Sequence, residues 1–194
     1  MAIDFQLSSK RVIPFMETAR VWAQQSTCSR LSVGAVIFNA KTARLLSLGY
    51  NGTIKGMVHC KDLFQTLLGQ YSIKKELSKY IEVDFTLTEE VHHPDYVSVT
   101  KEYYLQLHHD FSERYEVHAE QNAILNLIKT GTQIDYDNTY LVTTLQPCYT
   151  CAKMIAALGI KHIIYDEDYD KNGYDYYDLI ESLGLKLWRM SSIL

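Results

Sequence analysis

The chain has 194 residues, of which 47% are hydrophobic and 12% aromatic, and its formal net charge at pH 7 is −4. This composition excludes general disorder and suits one domain with a full hydrophobic core. The acidic balance argues against nucleic acid as a partner, because binding a phosphate backbone requires a basic surface.

Hydrophobic periodicity predicts helices and strands that alternate along the chain. The predicted elements, in chain order, are a helix at about 10–25, strands at 33–38 and 45–50, a helix ending near Gly131, a strand at 139–144, a helix from Pro147 to about 158, a strand at 161–165, a helix at about 174–183 and a strand at 185–190. This order predicts an α/β fold with one mixed five-stranded sheet between two helical layers.

Residues from about 61 to 115 follow no single period. Two stretches, Leu63–Leu68 and Ile73–Ile81, have a composition that favours helices. We interpret 61–115 as an insertion within one domain that spans residues 1–194.

Two short motifs carry the chemistry of the chain. His118-Ala119-Glu120 matches H-x-E, and residues 147–151 match P-C-x-x-C, which together are the signature of zinc-dependent nucleobase deaminases. His118, Cys148 and Cys151 supply three metal ligands and leave the fourth position for water, as in catalytic zinc sites. With Pro147 in the first turn of a helix, both cysteines would lie on one helical face, where the helix dipole favours thiolates.

Glu120 is not needed as a ligand in this arrangement. A carboxylate next to a metal centre can accept a proton from water and later donate one to a leaving group. The alternatives are a closed structural zinc site or a redox dithiol. A closed site would require a fourth protein ligand and would leave Glu120 without a role.

The N-terminus and the cysteines predict a cytoplasmic protein. The first twenty residues lack the apolar segment of a signal peptide, and no apolar run approaches the length needed to cross a membrane. In a reducing compartment, four cysteines are more often metal ligands than disulfides.

Several further segments extend the likeness beyond the two motifs. They are S-T-C-S-R at 26–30, V-G-A-V-I at 33–37, G-Y-N-G at 49–52, H-C at 59–60, H-A-E-Q-N-A-I at 118–124 and P-C-Y-T-C-A-K-M-I at 147–155. With these segments the chain resembles the deoxycytidylate (dCMP) deaminase family of phages and bacteria. The resemblance implies the cytidine-deaminase fold and hydrolysis of dCMP to dUMP and ammonia, which supplies dUMP for thymidylate synthesis. It also implies a homohexamer that dCTP with Mg²⁺ activates and dTTP inhibits.

The same resemblance implies a second, structural zinc ion. Its ligands would correspond to Cys28, Cys60, His108 and Glu116, which form a complete tetrahedral set. Other histidines compete for the place of His108, and the two cysteines could instead be buried thiols. The competing histidines are His59, His92, His93 and His109.

Substrate contacts follow only in part from the resemblance. Asn51 corresponds to a family residue near the sugar and base, although Asn-Gly is also a common turn dipeptide. Tyr169 corresponds to a family tyrosine that contacts the nucleotide. Arg30 and Lys171 are candidate phosphate partners, although exposed basic residues are usually only solvated.

Two other functions stay open at this stage. A nucleic-acid editing deaminase of the tRNA adenosine type shares the motifs, but the acidic balance, the extra cysteines and the insertion argue against it. A non-enzymatic nucleotide sensor could keep the fold, but it would not need Glu120.

The segment after G-Y-N-G departs from the family pattern. Thr53, Ile54 and Lys55 occupy a stretch that often carries proline and glycine in the family, and Ile54 and Lys55 could alter the binding of the regulatory nucleotide.

Overall fold

The computed structural model of the protein describes residues 7–91 and 93–194. The helices within these residues are α1 (Ser9–Ala23), α2 (Cys60–Leu63), α3 (Lys101–Tyr115), α4 (Ala119–Lys129), α5 (Tyr149–Leu158) and α6 (Tyr176–Ser182). The strands are β1 (Gly34–Asn39), β2 (Arg44–Tyr50), β3 (Gly52–Thr53), β4 (Phe64–Leu67), β5 (Gln70–Lys74), β6 (Glu89–Glu90), β7 (Tyr96–Ser98), β8 (Glu116–Val117), β9 (Thr139–Leu145), β10 (His162–Glu167) and β11 (Lys186–Arg189). No helix in these two ranges is both long enough and apolar enough to cross a membrane.

The chain forms two compact units. The first unit comprises the residues up to Ser26 together with 32–51 and 118–194, and the second comprises 27–31 and 52–117. Most of the second unit coincides with the segment interpreted as an insertion. The organisation as a single domain with an insertion at 61–115 stays a prediction.

The first unit is built on a mixed five-stranded sheet with the strand order β11-β10-β9-β1-β2. Strand β1 is antiparallel to both β2 and β9, whereas β10 is parallel to both β9 and β11. All six residues of β1 are buried, as expected for a central strand with both faces covered. The predicted fold class, a three-layer α/β/α arrangement with a mixed five-stranded sheet, is confirmed.

The two faces of this sheet bury separate hydrophobic clusters. Helix α1 packs Val12, Met16 and Ala19 against one face, and helices α4, α5 and α6 cover the other. Gly49 of β2 lets α4 come unusually close, because a Cβ atom at this position would lie 2.4 Å from the backbone nitrogen of Ala123. This close packing fixes α4 against the sheet.

The second unit contains an antiparallel sheet with the strand order β4-β5-β7-β6 and the helix α3. The helices predicted at Leu63–Leu68 and Ile73–Ile81 are wrong, because the chain forms the β4–β5 hairpin with Phe64 opposite Ile73. Leu68 and Gly69 both have positive φ, of 50° and 80°, as a two-residue hairpin turn requires. Within the stretch predicted as a helix at 73–81, only a short 3₁₀ segment at Lys75–Lys79 is helical.

Candidate active site

Three metal-ligating side chains of the first unit lie together. His118 Nδ1 is 3.5 Å from Cys148 Sγ and 3.4 Å from Cys151 Sγ. Tetrahedral zinc with Zn–N near 2.0 Å and Zn–S near 2.3 Å would separate such atoms by about 3.5 Å. The donor set and its spacing therefore fit a zinc ion.

Two helix starts place these ligands. His118 is the N-cap residue of α4, and its backbone N–H donates to Gln121 Oε1 at 2.9 Å. Cys148 is the N-cap residue of α5 and Cys151 lies in its first turn. The placement of Pro147 within the helix is wrong, because the Cys148 carbonyl accepts the first helical hydrogen bond, from Ala152 N at 2.9 Å.

The surroundings of Cys148 favour its thiolate, the form that binds metal. Hydrogen bonds from the Cys151 thiol and from the His118 ring lower the pKa of Cys148 to about 4, against the opposing effect of burial. The hydrogen bonds within the cluster therefore favour the form of Cys148 that can bind a metal ion.

Glu120 lies in the first turn of α4 and is only 4% exposed. Burial raises the pKa of its carboxyl group, because a low-dielectric environment disfavours the charged form. It is not a member of the cluster formed by His118, Cys148 and Cys151. Glu120 is thus a buried carboxyl group two residues after His118, and a carboxyl group can accept and donate a proton.

A second cluster lies within the second unit. His108 Nε2 is 3.4 Å from Cys28 Sγ and 3.3 Å from Cys60 Sγ, and a carboxylate oxygen of Glu116 completes a set within 4.8 Å. Among the competing histidines, His59, His93 and His109 are outside this set, and His92 lies outside the described residues.

Glu116 has one carboxylate oxygen engaged and one available. Ser112 Oγ donates to Glu116 Oε2 at 2.7 Å, whereas Oε1 is buried and has no hydrogen-bond partner within the described ranges. Burial, together with the neighbouring Cys28, raises the pKa of Glu116. A buried acceptor without a partner is costly, and a cation would satisfy it.

The predicted substrate contacts differ in their surroundings. Asn51 is buried, its Oδ1 accepts from Val33 N at 2.8 Å, and its backbone N donates to Val33 O at 3.1 Å. Tyr169 is half-buried and its backbone N–H donates to Gln146 Oε1 at 3.4 Å. Arg30 is exposed in the second unit and Lys171 is exposed in the first.

The sequence analysis missed the polar side chains that support the α5 start. Gln146 is buried directly before Pro147, and Asn172 and Tyr176 hydrogen-bond to this segment. The signal available in the sequence was a polar residue between the buried strand β9 and the P-C-x-x-C motif. Its partners lie more than 20 residues away, which no local pattern reveals.

Comparison with known proteins adds independent evidence. The model of the family described as "Cytidine and deoxycytidylate deaminase zinc-binding region" matches residues 9–167. The chain belongs to this family. The match includes both motifs and both metal-ligand clusters, and it confirms the predicted zinc-binding deaminase class.

Relatives within the family match along most of their length. The deoxycytidylate deaminase of Enterobacteria phage T4 is 34% identical over 182 residues, which are 90% of this chain and 87% of that protein. The deoxycytidylate deaminase of Enterobacteria phage T2 is 33% identical over 185 residues, or 92% and 91% of the two chains. The ComE operon protein 2 of Bacillus subtilis (strain 168) is 31% identical over 171 residues, or 88% of this chain and 66% of that protein.

The fold has solved counterparts in the family. The crystal structure of the dCMP deaminase from the cyanophage S-TIM5 in complex with dCMP and dUMP matches 95% of this chain and 99% of that chain. The TM-score is 0.60 and the sequence identity is 25%. The cytidine-deaminase-like fold inferred from the sequence is therefore confirmed.

Proposed function

We propose that the protein catalyses the hydrolytic deamination of dCMP to dUMP and ammonia. The observation that carries this proposal is the cluster of His118, Cys148 and Cys151, together with the buried Glu120 in the first turn of α4, the helix that His118 caps. The similarity to deoxycytidylate deaminases of phages T2 and T4 supports dCMP as the substrate. So does the likeness to a dCMP deaminase crystallised with dCMP and dUMP.

His118, Cys148 and Cys151 would hold the catalytic zinc ion. When bound, zinc lowers the pKa of water from 15.7 to about 7 and so supplies a nucleophile at neutral pH. The thiolate form of Cys148, favoured by its hydrogen bonds, is ready for this role. The Gln121 contact holds the backbone of His118 at the α4 start.

Glu120 would carry the protons of the reaction. Its carboxylate takes a proton from the attacking water and passes it to N3 of the cytosine ring. It then takes the second proton, from the new C4 hydroxyl group, and delivers it to the N4 amine as the C4–N4 bond breaks. The water oxygen stays on C4, so the products are the uracil ring and ammonia. The raised pKa of Glu120 suits this exchange, since a group that both accepts and donates protons works best with a pKa near the operating pH.

Asn51, Tyr169 and Arg30 would contact the nucleotide. Asn51 is already oriented by its bonds to Val33, and its amide group would remain for base or sugar recognition. Tyr169 would contribute through its ring or hydroxyl group, and Arg30 through its charge on the phosphate.

Cys28, Cys60, His108 and Glu116 would hold a second, structural zinc ion. All four belong to the second unit, and the unpartnered oxygen of Glu116 supports this assignment. Structural zinc in small peptides contributes on the order of 10 kcal/mol to folding. The ion would therefore stabilise a unit whose strands are short.

Regulation and assembly follow from the family resemblance alone. The proposed state is a homohexamer that dCTP with Mg²⁺ activates and dTTP inhibits. The product dUMP would feed thymidylate synthesis, and nucleic acid would not be a substrate.

The test is ammonia release from dCMP, CMP, deoxycytidine and dCTP in parallel, each with and without a low concentration of dCTP and Mg²⁺. Turnover confined to dCMP is the expected result, and stimulation by dCTP with inhibition by dTTP would support the regulation. No turnover of any cytosine compound by the zinc-loaded protein would overturn the proposal.

A further inference from the structure

A network of side chains surrounds the two residues that precede Cys148. The Tyr176 hydroxyl donates to the Pro147 carbonyl at 2.6 Å, and Asn172 Nδ2 donates to the same carbonyl at 3.1 Å. Asn172 Nδ2 also donates to Gln146 Oε1 at 2.9 Å. Tyr176 is completely buried, and Gln146 and Pro147 are also buried.

These contacts fix the backbone on which a metal ligand depends. The Pro147 carbonyl belongs to the peptide that leads into Cys148, and both of its lone pairs are occupied by side-chain donors. Proline has no N–H group, so the preceding peptide, between Gln146 and Pro147, has no backbone donor that could anchor it. The Cys148 backbone is therefore held from two sides, by Tyr176 and Asn172 through the Pro147 carbonyl and by α5 through the Ala152 N–H, which donates to the Cys148 carbonyl.

The same network holds the loop that carries Tyr169. Gln146 Oε1 accepts from the backbone N–H of Tyr169 at 3.4 Å as well as from Asn172. The backbone N–H of Asn172 donates to the Tyr169 carbonyl at 3.0 Å, which closes a turn. Asn172 is thus the residue common to the metal-ligand segment and to the loop with the proposed nucleotide contact.

The amide group suits this position for a chemical reason. Both hydrogens of Asn172 Nδ2 point at acceptors, which are Gln146 Oε1 and Pro147 O, so the amide orientation is determined by its neighbours. An aspartate would have the same size but would face these acceptors with a charged oxygen. Rotation of the aspartate side chain would not restore a donor, because both of its terminal atoms are oxygens. In the unaltered protein, Asn172 Oδ1 is buried and has no hydrogen-bond partner in the described part of the chain.

We propose that Asn172 and Tyr176 are positioning residues of the reaction: they hold the Gln146–Pro147 segment so that Cys148 binds the metal in its catalytic geometry, and Asn172 also sets the Tyr169 loop. Neither residue contacts the substrate in this proposal. The proposal rests on the proposed function for its kinetic consequences, but its effect on the metal centre is independent of the substrate.

Two variants separate the two roles. Tyr176→Phe keeps the buried ring and removes only the hydroxyl group on Pro147. We expect kcat to fall about tenfold, KM to change by less than about twofold, and the cobalt-substituted protein to have altered thiolate-to-metal and ligand-field absorption bands. Asn172→Asp disturbs both the metal-ligand segment and the loop, so we expect the same spectral change with a fall in kcat and a rise in KM.

The controls change the same chemical groups at a neighbouring exposed site. The Tyr174 side chain is fully exposed in the same loop. Tyr174→Phe removes a hydroxyl group and Tyr174→Asp adds a negative charge, and both should leave kcat, KM and the cobalt spectrum unchanged. Thermal unfolding identifies any variant that does not fold; if Tyr176→Phe fails in this way, Asn172→Asp decides, since Asn172 is only partly buried.

The outcomes distinguish this inference from the proposed function. If the unaltered protein deaminates dCMP while both variants keep its cobalt spectrum and its kcat, the positioning role is wrong and the function stands. If the unaltered protein deaminates no cytosine nucleotide but the variants change the cobalt spectrum, the metal-positioning role stands and the proposed function is wrong.

Discussion

Ser112 Oγ donates a 2.7 Å hydrogen bond to Glu116 Oε2 across one helical turn and the end of α3. The bond orients the carboxylate and leaves Oε1 buried without a partner in the described ranges. Hydrogen-bond donors that are not themselves ligands commonly fix the orientation of metal-ligating carboxylates. The free oxygen of Glu116 would thus face a metal ion held by Cys28, Cys60 and His108, and metal analysis tests this directly.

We expect the purified protein to contain two zinc ions per chain and the Cys60→Ala variant to contain one. Cys60 is completely buried beside His108, so its loss removes a ligand that no solvent molecule can easily replace. Metal analysis by mass spectrometry gives the count. Equal counts in the two proteins would reject the second zinc site.

A matched variant, Cys148→Ala, should also lose one zinc ion but from the other cluster. Amide hydrogen exchange distinguishes the two losses, because it reports local stability. Cys60→Ala should increase exchange in 52–117, whereas Cys148→Ala should leave those amides protected. The same exchange pattern in both variants would contradict the assignment of one zinc ion to each unit.

Glu120→Gln should keep both zinc ions and lose most of the activity. The amide has nearly the same shape but cannot accept a proton from water, and general acid–base catalysis contributes about 10²- to 10⁴-fold to rates. We therefore expect kcat with dCMP to fall at least about a hundredfold. Glu113→Gln, at an exposed position of α3, is the control and should keep normal turnover; substantial activity in Glu120→Gln would remove Glu120 from the mechanism.

The sequence predicted the first unit well because its signals are local. The central strand β1 is a short apolar run, and the candidate ligands His118, Cys148 and Cys151 lie within two compact motifs at helix starts. Periodicity and motif spacing are sufficient for such features. The start of α5 was placed two residues too early, because the contacts that hold Pro147 outside the helix come from Asn172 and Tyr176. The start of α6, at Tyr176, was likewise expected at about 174.

The second unit was predicted poorly for a physical reason. The apolar runs around Phe64 and Ile73 are too short for periodicity to separate helix from strand, and strand pairing decided the outcome. Helix α3 escaped prediction because its buried face combines Tyr104, Leu107, His108 and Phe111, which is not a purely apolar stripe. The histidine in that face belongs to the cluster of Cys28, Cys60, His108 and Glu116, and a polar residue at a buried position disturbs the pattern that would identify the helix.

Gly49→Ala should destabilise the protein through α4. The added Cβ atom would lie 2.4 Å from Ala123 N and 2.5 Å from Ala119 O, so the helix must move. Overpacking of this kind costs about 1–3 kcal/mol in the free energy of unfolding. Because α4 begins beside His118, we also expect weaker zinc retention against a chelator.

Gly184→Ala is the matched control for Gly49→Ala. Gly184 has a φ of 67°, and no atom of the described residues lies within 4 Å of an added Cβ, so its cost is the backbone strain alone, about 1–2 kcal/mol. Denaturant unfolding of both variants measures the difference. A loss of zinc retention in Gly184→Ala as large as in Gly49→Ala would show that general destabilisation, and not the position of α4, controls the metal centre.

His162 gives the first unit a pH dependence that is separate from its metal ligands. Its ring stacks against Tyr140, at a centroid distance of 4.3 Å, and against Trp188, at 5.7 Å, and these two rings are themselves 6.4 Å apart. Burial lowers the pKa of His162 to about 4, and the nearby Lys186 and Lys161 add to the effect against a smaller opposing contribution from Asp137. The imidazole is therefore neutral in the folded protein at neutral pH.

The folded pKa of His162, about 4, lies below its ordinary value of 6.5, so the unfolded chain binds more protons between these two pH values. The stability that neutral His162 contributes is fully present above pH 6.5 and is lost as the pH falls towards 4. The His162→Phe variant keeps an aromatic ring in the stack and cannot be protonated. We therefore expect its free energy of unfolding, relative to the unaltered protein, to increase steadily from pH 6.5 to 4 in denaturant titrations. Acid effects on the metal clusters are common to both proteins and cancel in this difference, so a difference that stays constant across the window would show that His162 is not buried as a neutral ring.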